Sequence, residues 1–250
     1  MLFRSAEVCK AEGIDMANFK VINEPVDVKA AAMACDLINA GEADILMKGL
    51  LPTDKYMRAI LNKERGLCPP NVTLAHVAVI ENPNYHKLMV ASDCAIIPLP
   101  DLKQKQQLLK YVTSVATKLG VSCPKVAMVT ATEQMSAGIP ACVDAAIISK
   151  MNERGQIKGC IVEGPISLDL ATDAETAAIK GMKSPVAGDA DCLVFPNLES
   201  SNVFYKCCTK FDKSEVGAML MGAKVPCVLS SRGDTSKTKL YSIALAAMMA

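Results

Sequence analysis

Short runs of consecutive apolar residues alternate along this chain with longer stretches in which apolar positions recur every three or four residues. Residues 44–49 (DILMKG), 76–80 (HVAVI), 94–100 (CAIIPLP), 125–130 (KVAMVT), 159–164 (GCIVEG), 192–196 (CLVFP) and 226–231 (PCVLSS) each read as a buried strand. Helical spacing covers 28–40 and 103–119, and Gly120 stands where a C-terminal cap is needed. Strands that are apolar throughout and separated by helix-length segments predict an α/β fold with parallel-rich sheets, because each helix must cross over to return the chain to a parallel strand. One feature is unusual for such a fold: the first clear strand, at 44–49, follows a long helical lead-in.

Composition fits this reading and removes several functions. The 250 residues are 51% hydrophobic but only 4% aromatic, without Trp, so the core is built from Ala, Val, Ile, Leu and Met. Lys and Arg number 27 against 26 Asp and Glu, which leaves no basic surplus for a nucleic-acid partner. No apolar run approaches the ~20 residues of a membrane span, and MLFRSAEVCKAEG lacks the succession of a signal peptide, so a cytoplasmic location is expected. The eleven cysteines are scattered through apolar segments without a CxxC, and His76 and His86 have no ligand at metal spacing. Reduced thiols and no metal are the expectation, with the pair Cys207–Cys208 read as two small residues at a strand end.

In open parallel sheets ligands bind beyond the carboxyl ends of strands, so polar residues just after each apolar run are the candidates. Lys48 follows the first run, with Thr53, Asp54 and Arg58 close behind; this is either an anion site at a helix start or a solvated face. Gly164–Pro165 and Asp169 follow the fifth run; Asn197, Glu199, Asn202 and Lys206 follow the sixth. Either group serves a ligand or simply a turn. After the last run, Ser231, Arg232 and Asp234 put a hydroxyl, a guanidinium and a carboxylate within four residues, which suits stabilisation of an oxyanion and proton transfer, or equally a helix cap with a surface arginine.

Taken together, residues 41–67 (GEADILMKGLLPTDKYMRAILNKERGL), 74–81 (LAHVAVIE), 144–171 (DAAIISKMNERGQIKGCIVEGPISLDLA), 187–206 (AGDADCLVFPNLESSNVFYK) and 226–239 (PCVLSSRGDTSKTK) resemble the phosphate acetyltransferase and butyryltransferase family, more closely its butyryl branch. The resemblance implies two α/β domains of isocitrate/isopropylmalate dehydrogenase-like fold around an interdomain cleft. Residues 1–73 and 221–250 would form the first and 74–220 the second, with 48–58 and 231–234 facing 163–169 and 197–206. It implies transfer of a short acyl group from coenzyme A to phosphate, both being substrates, with no resident metal or cofactor and no covalent acyl-enzyme. Arg58 then resembles the phosphate-binding arginine, and Ser231 and Arg232 the reactive Ser-Arg pair. The family's base falls at Thr238, and Asp234, one helical turn earlier, is the expected substitute. Alternatives are acetyl or propanoyl transfer, or a silent coenzyme A-binding or scaffolding relative. Relatives generally begin one or more strand-helix units earlier, so the first unit reads as shortened, and its uncovered sheet edge predicts a homo-oligomer.

Overall fold

The computed structural model describes residues 2–230 and 233–250, with 2–5 described by their backbone alone. In chain order the elements are α1 (Leu2–Ala11), a 3-10 helix (Met16–Asn18), α2 (Asp27–Asn39), β1 (Leu46–Met47), α3 (Thr53–Ile60), β2 (Ala75–Glu81), β3 (Met89–Ser92) and α4 (Leu102–Lys118). They continue with β4 (Lys125–Val129), α5 (Pro140–Glu153), β5 (Ile161–Ile166), α6 (Leu168–Thr172), α7 (Ala174–Ile179), β6 (Cys192–Val194), α8 (Leu198–Lys210), β7 (Glu215–Met221), β8 (Cys227–Val228) and α9 (Ser236–Met249). The strands hydrogen-bond in the order β1-β8-β7-β2-β3-β6-β4-β5.

The sheet is mixed and parallel-rich. Pairs β1/β8, β3/β6, β4/β6 and β4/β5 are parallel, while β7/β8, β2/β7 and β2/β3 are antiparallel. Two parallel flanks thus meet across an antiparallel centre, so the sheet is parallel-rich as expected and gains an antiparallel middle. β7 was not among the expected strands, and it forms the longest ladder in the sheet, from Ala75↔Met221 to Glu81↔Glu215. The segment 94–100 is not a strand. The carboxylate of Asp93 accepts the backbone N–H groups of Ala95 (2.9 Å), Ile96 (3.1 Å) and Ile97 (3.0 Å), so those donors are not available to a neighbouring strand, and Pro98 and Pro100 have none to offer. The strand here is β3, just upstream. Gly164 and Pro165 lie inside β5 instead of in a loop after it, and Cys207–Cys208 sit in α8 rather than at a strand end.

Period-2 alternation places successive strand side chains in opposite layers. Val77, Val126, Met128, Cys192 and Val194 join α4, α5 and α9 in one apolar cluster. Ala78, Ile80, Ala127, Val129 and Leu193 join α6, α7 and α8 in another. α9 lies close on β7 because Gly217 has no side chain: a Cβ there would stand 3.0 Å from the backbone C and O of Tyr241. α4 matches its expected span to within a residue. It starts with a capping box between Asp101 and Gln104, buries Leu108, Val112, Val115 and Ala116 at helical spacing, and ends before Gly120 at φ +99°.

A third cluster gathers Cys35 and Ile38 of α2, Leu46, Tyr56 and Ile60, then Leu220 and Cys227 from the far end of the chain. Within it the Tyr56 hydroxyl stands 3.1 Å from the carbonyl oxygens of both Leu46 and Val228, bridging β1 to β8. At the opposite end of β3, β4 and β6, Lys87 reaches Asp189 and Asp191 at 2.8 Å each, Lys125 pairs with Asp189, and His86 Nε2 meets Asp189 at 2.8 Å.

Candidate active site

A cavity of about 580 Å³ opens where several strand ends converge. Lys48 enters directly after β1, Leu229 and Ser230 after β8, and Cys94 to Ile96 after β3; Asn202, Tyr205 and Lys206 come from α8, which follows β6. Thr53, Met57 and Leu61, one helical turn apart along α3 and its C-cap, form another wall, and Asp234 reaches in ahead of α9. Lys48 is only 5% exposed and its Nζ donates to the Leu51 carbonyl at 3.4 Å. Asn202 Nδ2 donates to the Cys94 carbonyl at 3.0 Å, and the Lys206 ammonium sits 5.3 Å from the centre of the Tyr205 ring.

Asp93 organises the wall from behind. Besides the three N–H groups already named, it accepts the backbone N–H of His76, and the Ser201 hydroxyl of α8 donates to its carbonyl. Burial pushes its carboxyl above the ordinary value, and the backbone hydrogen bonds pull the other way without prevailing. Burial first, with the charges of Asp93 and Cys208 behind it, raises the Cys94 thiol far above the ordinary cysteine range. Although it lines the cavity, Cys94 is therefore a thiol and a poor nucleophile.

A groove of about 480 Å³ adjoins the cavity, sharing Tyr205, Lys206 and Asp234 with it. Lys206, Lys210, Lys213 and Lys237 outnumber its two carboxylates, Glu215 and Asp234, and Lys237 is tied to Glu215 at 2.8 Å. The groove is thus a cationic track leading to the cavity.

Of the residues expected from the sequence, Lys48, Thr53, Asn202, Lys206 and Asp234 come together in the cavity. Ser231 and Arg232 lie outside the described residues; Ser230 and Asp234 on either side of them in sequence both line it. Four others are elsewhere. Arg58 lines a separate depression with Asp54, Cys35 and Arg65, because it is one position out of phase with Thr53, Met57 and Leu61. Asn197 is the N-cap of α8, its side chain accepting from Ser200 N at 2.9 Å, and Glu199 is exposed in the first turn of that helix. Asp169 is exposed and pairs with Lys180 at 2.8 Å, whose hydrogen bond lowers its carboxyl to about 2.

Asp234 also precedes the Thr235 N-cap of α9, so it shares no helix face with Thr238. It lines cavity and groove by virtue of the turn instead, whereas Thr238 lines the groove alone. Among the cavity residues that the sequence did not offer as site candidates, His76 stands out. At the start of β2, it is 5% exposed and forms part of the wall, with its ring edge-on to Tyr205 at 6.1 Å. The signal available was a lone imidazole opening an otherwise apolar run.

Comparison with known proteins shows which family the chain falls in. The family described as Phosphate acetyl/butaryl transferase matches residues 4–247. The chain is 44% identical over 238 residues to phosphate butyryltransferase of Clostridium acetobutylicum, covering 95% of this chain and 79% of the relative. It is 41% identical over 233 residues to phosphate acetyltransferase of Thermotoga maritima, covering 93% and 79%. Among solved structures, a branched-chain phosphotransacylase from Enterococcus faecalis V583 superposes with a TM-score of 0.84 at 33% identity, covering 94% of this chain and 84% of that one. On sequence and fold alike, the chain belongs to the phosphate acetyl/butaryl transferase family.

Proposed function

We propose that the chain is a phosphate acyltransferase moving a short acyl group, butyryl or one close to it in length, between coenzyme A and inorganic phosphate. The observation that carries this reading, in a chain of this family, is the continuity of the lysine-lined groove with the cavity. The anionic body of coenzyme A lies along the groove at Lys206, Lys210 and Lys213, and its thioester end reaches the cavity. Phosphate is held by the Lys48 ammonium and the first turn of α3 at Thr53, where N–H groups face outward. Met57, Leu61, Ile96 and Leu229 supply an apolar wall for the acyl chain. Each methylene changes discrimination by only ~1–3 kcal/mol, so the preferred length is set by how these four side chains close the pocket.

Transfer runs directly between the substrates. A phosphate oxygen bonds to the thioester carbonyl carbon, the carbonyl π pair moves onto oxygen, and collapse of this intermediate breaks the C–S bond. The sulfur leaves with the pair and takes up the proton that hydrogenphosphate gives up. Holding both substrates in line and stabilising the oxyanion supply most of the acceleration. The raised Cys94 thiol supports a route without a covalent acyl-enzyme. Ser231 and Arg232 act on the reacting carbonyl and its charge, and Asp234, lining both cavity and groove, is the candidate base for the thiol in the reverse direction.

The same reading divides the chain into residues 1–73 with 221–250, and 74–220, on either side of an isocitrate/isopropylmalate dehydrogenase-like cleft. Supporting it, the cluster around Cys35 and Ile60 draws Leu220 and Cys227 from the other end of the sequence. The test is phosphate-dependent release of thiol from acetyl-, propanoyl-, butyryl- and hexanoyl-CoA, with Lys206→Ala and Arg232→Ala alongside. Turnover peaking at one length, a raised KM for acyl-CoA in Lys206→Ala and loss of kcat in Arg232→Ala are expected. No phosphate-dependent release from any thioester would refute the reading.

A further inference from the structure

His76 is held in a way that a packing residue does not require. Its backbone N–H donates to the Asp93 carboxylate and its carbonyl accepts from the Ser92 hydroxyl at 2.9 Å, so the residue is fixed at both ends of its peptide frame. Its ring is fixed in turn by the edge-on contact with Tyr205. Nδ1 is closed off from solvent and finds no partner among the described residues. A buried N–H without an acceptor is the rarer and costlier orphan, so the proton belongs on Nε2 and Nδ1 keeps a bare lone pair. A rigid imidazole presented in the cavity wall with a single N–H, among Lys48, Asn202 and Lys206, is the arrangement of a preorganised donor.

We infer that His76 is a catalytic residue of the acyl transfer, a neutral imidazole whose Nε2–H donates to the thioester carbonyl oxygen as that oxygen becomes an oxyanion. This rests on the acyltransferase reading. The cations Lys48 and Lys206 are matched to anions already present in the ground state, the phosphate and the body of coenzyme A; a neutral donor is matched to an oxygen that gains its charge only during reaction. The ring keeps its proton throughout, while the proton lost by phosphate goes to the departing sulfur. Burial first, and the Lys206 charge second, hold the ring's pKa down to about 4, so it does not titrate where such enzymes work. The ionisable groups packed around it are Lys206 and Tyr205 of α8, Asp93 and Cys94 after β3, Lys48 after β1 and Asp234 before α9. Burial and the Lys206 charge both act against the cation, so the ring stays neutral.

The test pairs kinetics with spectroscopy on the wild type. His76→Phe should lower kcat about 100-fold with both KM values nearly unchanged, the usual cost of one oxyanion donor. His76→Gln, which restores an amide N–H, should recover most of that loss, and the pH-rate profile should keep its shape between pH 5.5 and 8. Nitrogen-15 NMR of histidine-labelled wild type should show His76 as the Nε2–H tautomer, unchanged over that pH range, with exposed His86 as the internal reference. Its Nε2–H signal should move when a non-hydrolysable butyryl-CoA thioether binds. Wild-type turnover with undiminished His76→Phe activity would overturn the inference alone; absent wild-type turnover would remove the acyltransferase reading with it. A rise in the KM for phosphate matching the fall in kcat/KM, an Nδ1–H tautomer, or a titration near pH 6–7 would overturn it even if His76→Phe failed to fold.

Discussion

Replacing Asp93 tests how the cavity wall is held. Its carboxylate, buried behind the site, collects the N–H groups of Ala95, Ile96, Ile97 and His76, of which the first three lie at 2.9, 3.1 and 3.0 Å. Asp93→Ala leaves all four donors without it. At ~1–3 kcal/mol for each buried unsatisfied group, and with cavity water relieving some of them, the loss should be about 4–6 kcal/mol, most of a typical domain's stability. Asp93→Asn keeps one carbonyl oxygen, which can retain Ala95 and Ile96 since both bond to Oδ1, and turns an amide NH2, itself a donor, toward the Ile97 N–H. It should cost about 1–3 kcal/mol. The pH dependence has a definite sign. Because burial raises the Asp93 carboxyl, the folded protein binds its proton more readily than the unfolded chain, so this group's contribution improves as pH falls through the raised pKa. The gap between wild type and Asp93→Asn should therefore widen from pH 7 toward pH 4. Urea unfolding at both pH values measures it. An alanine variant within ~1 kcal/mol of wild type would mean that the four N–H groups are solvated, and that the wall is held some other way.

Gly217→Val should cost about 1–3 kcal/mol by wedging a side chain against the Tyr241 backbone, read as a fall in Tm; an unchanged Tm would mean that α9 does not press on β7 as described. At Asp189 burial alone would raise the carboxyl, but hydrogen bonds from Lys125, Lys87 and His86 outweigh it and hold it well below the usual carboxylate range. Its contribution is thus fully present above the unfolded value of 3.8 and lost as pH falls further. Asp189→Asn should cost about 1–2 kcal/mol at pH 7 after discounting for solvent screening, with the difference shrinking below about pH 4; equal loss at pH 3 and pH 7 would contradict the ion-pair account.

The flanks of the sheet were legible because 125–130, 159–164 and 192–196 carry strand signals that local sequence cannot disguise. The centre was not. Glu215–Met221 is rich in Ala, Met and Leu, which suit a helix, and its Gly217 serves the helix packed on it instead of the strand. The segment 94–100 failed for the opposite reason: it has the apolar content of a strand, but one carboxylate takes its donors. The rule of looking after strand ends found Lys48, Asn202, Lys206 and Asp234. It passed over His76 because β2 runs antiparallel to β3, so the start of β2 lies beside the end of its neighbour, with Val77 opposite Ser92. Arg58 had the right distance from Asp54 but the wrong helical phase, which is settled only once Tyr56 and Ile60 are known to be the buried side.

The Tyr56 hydroxyl has one proton and two carbonyls within 3.1 Å, one on each of the strands that deliver Lys48 and Ser230. β1 and β8 otherwise meet over two residue pairs, Leu46↔Cys227 and Met47↔Val228, so this side chain ties together most of their shared length. Lys48, proposed to hold phosphate, and Leu229, proposed to wall the acyl chain, consequently follow two strands joined through one side chain. For anyone redesigning this enzyme to take a longer acyl group, enlarging the pocket at Leu229 and preserving phosphate affinity at Lys48 are coupled problems. A library that varies the two loops together, with Tyr56 kept, will explore productive sequences that one-loop-at-a-time selection never reaches.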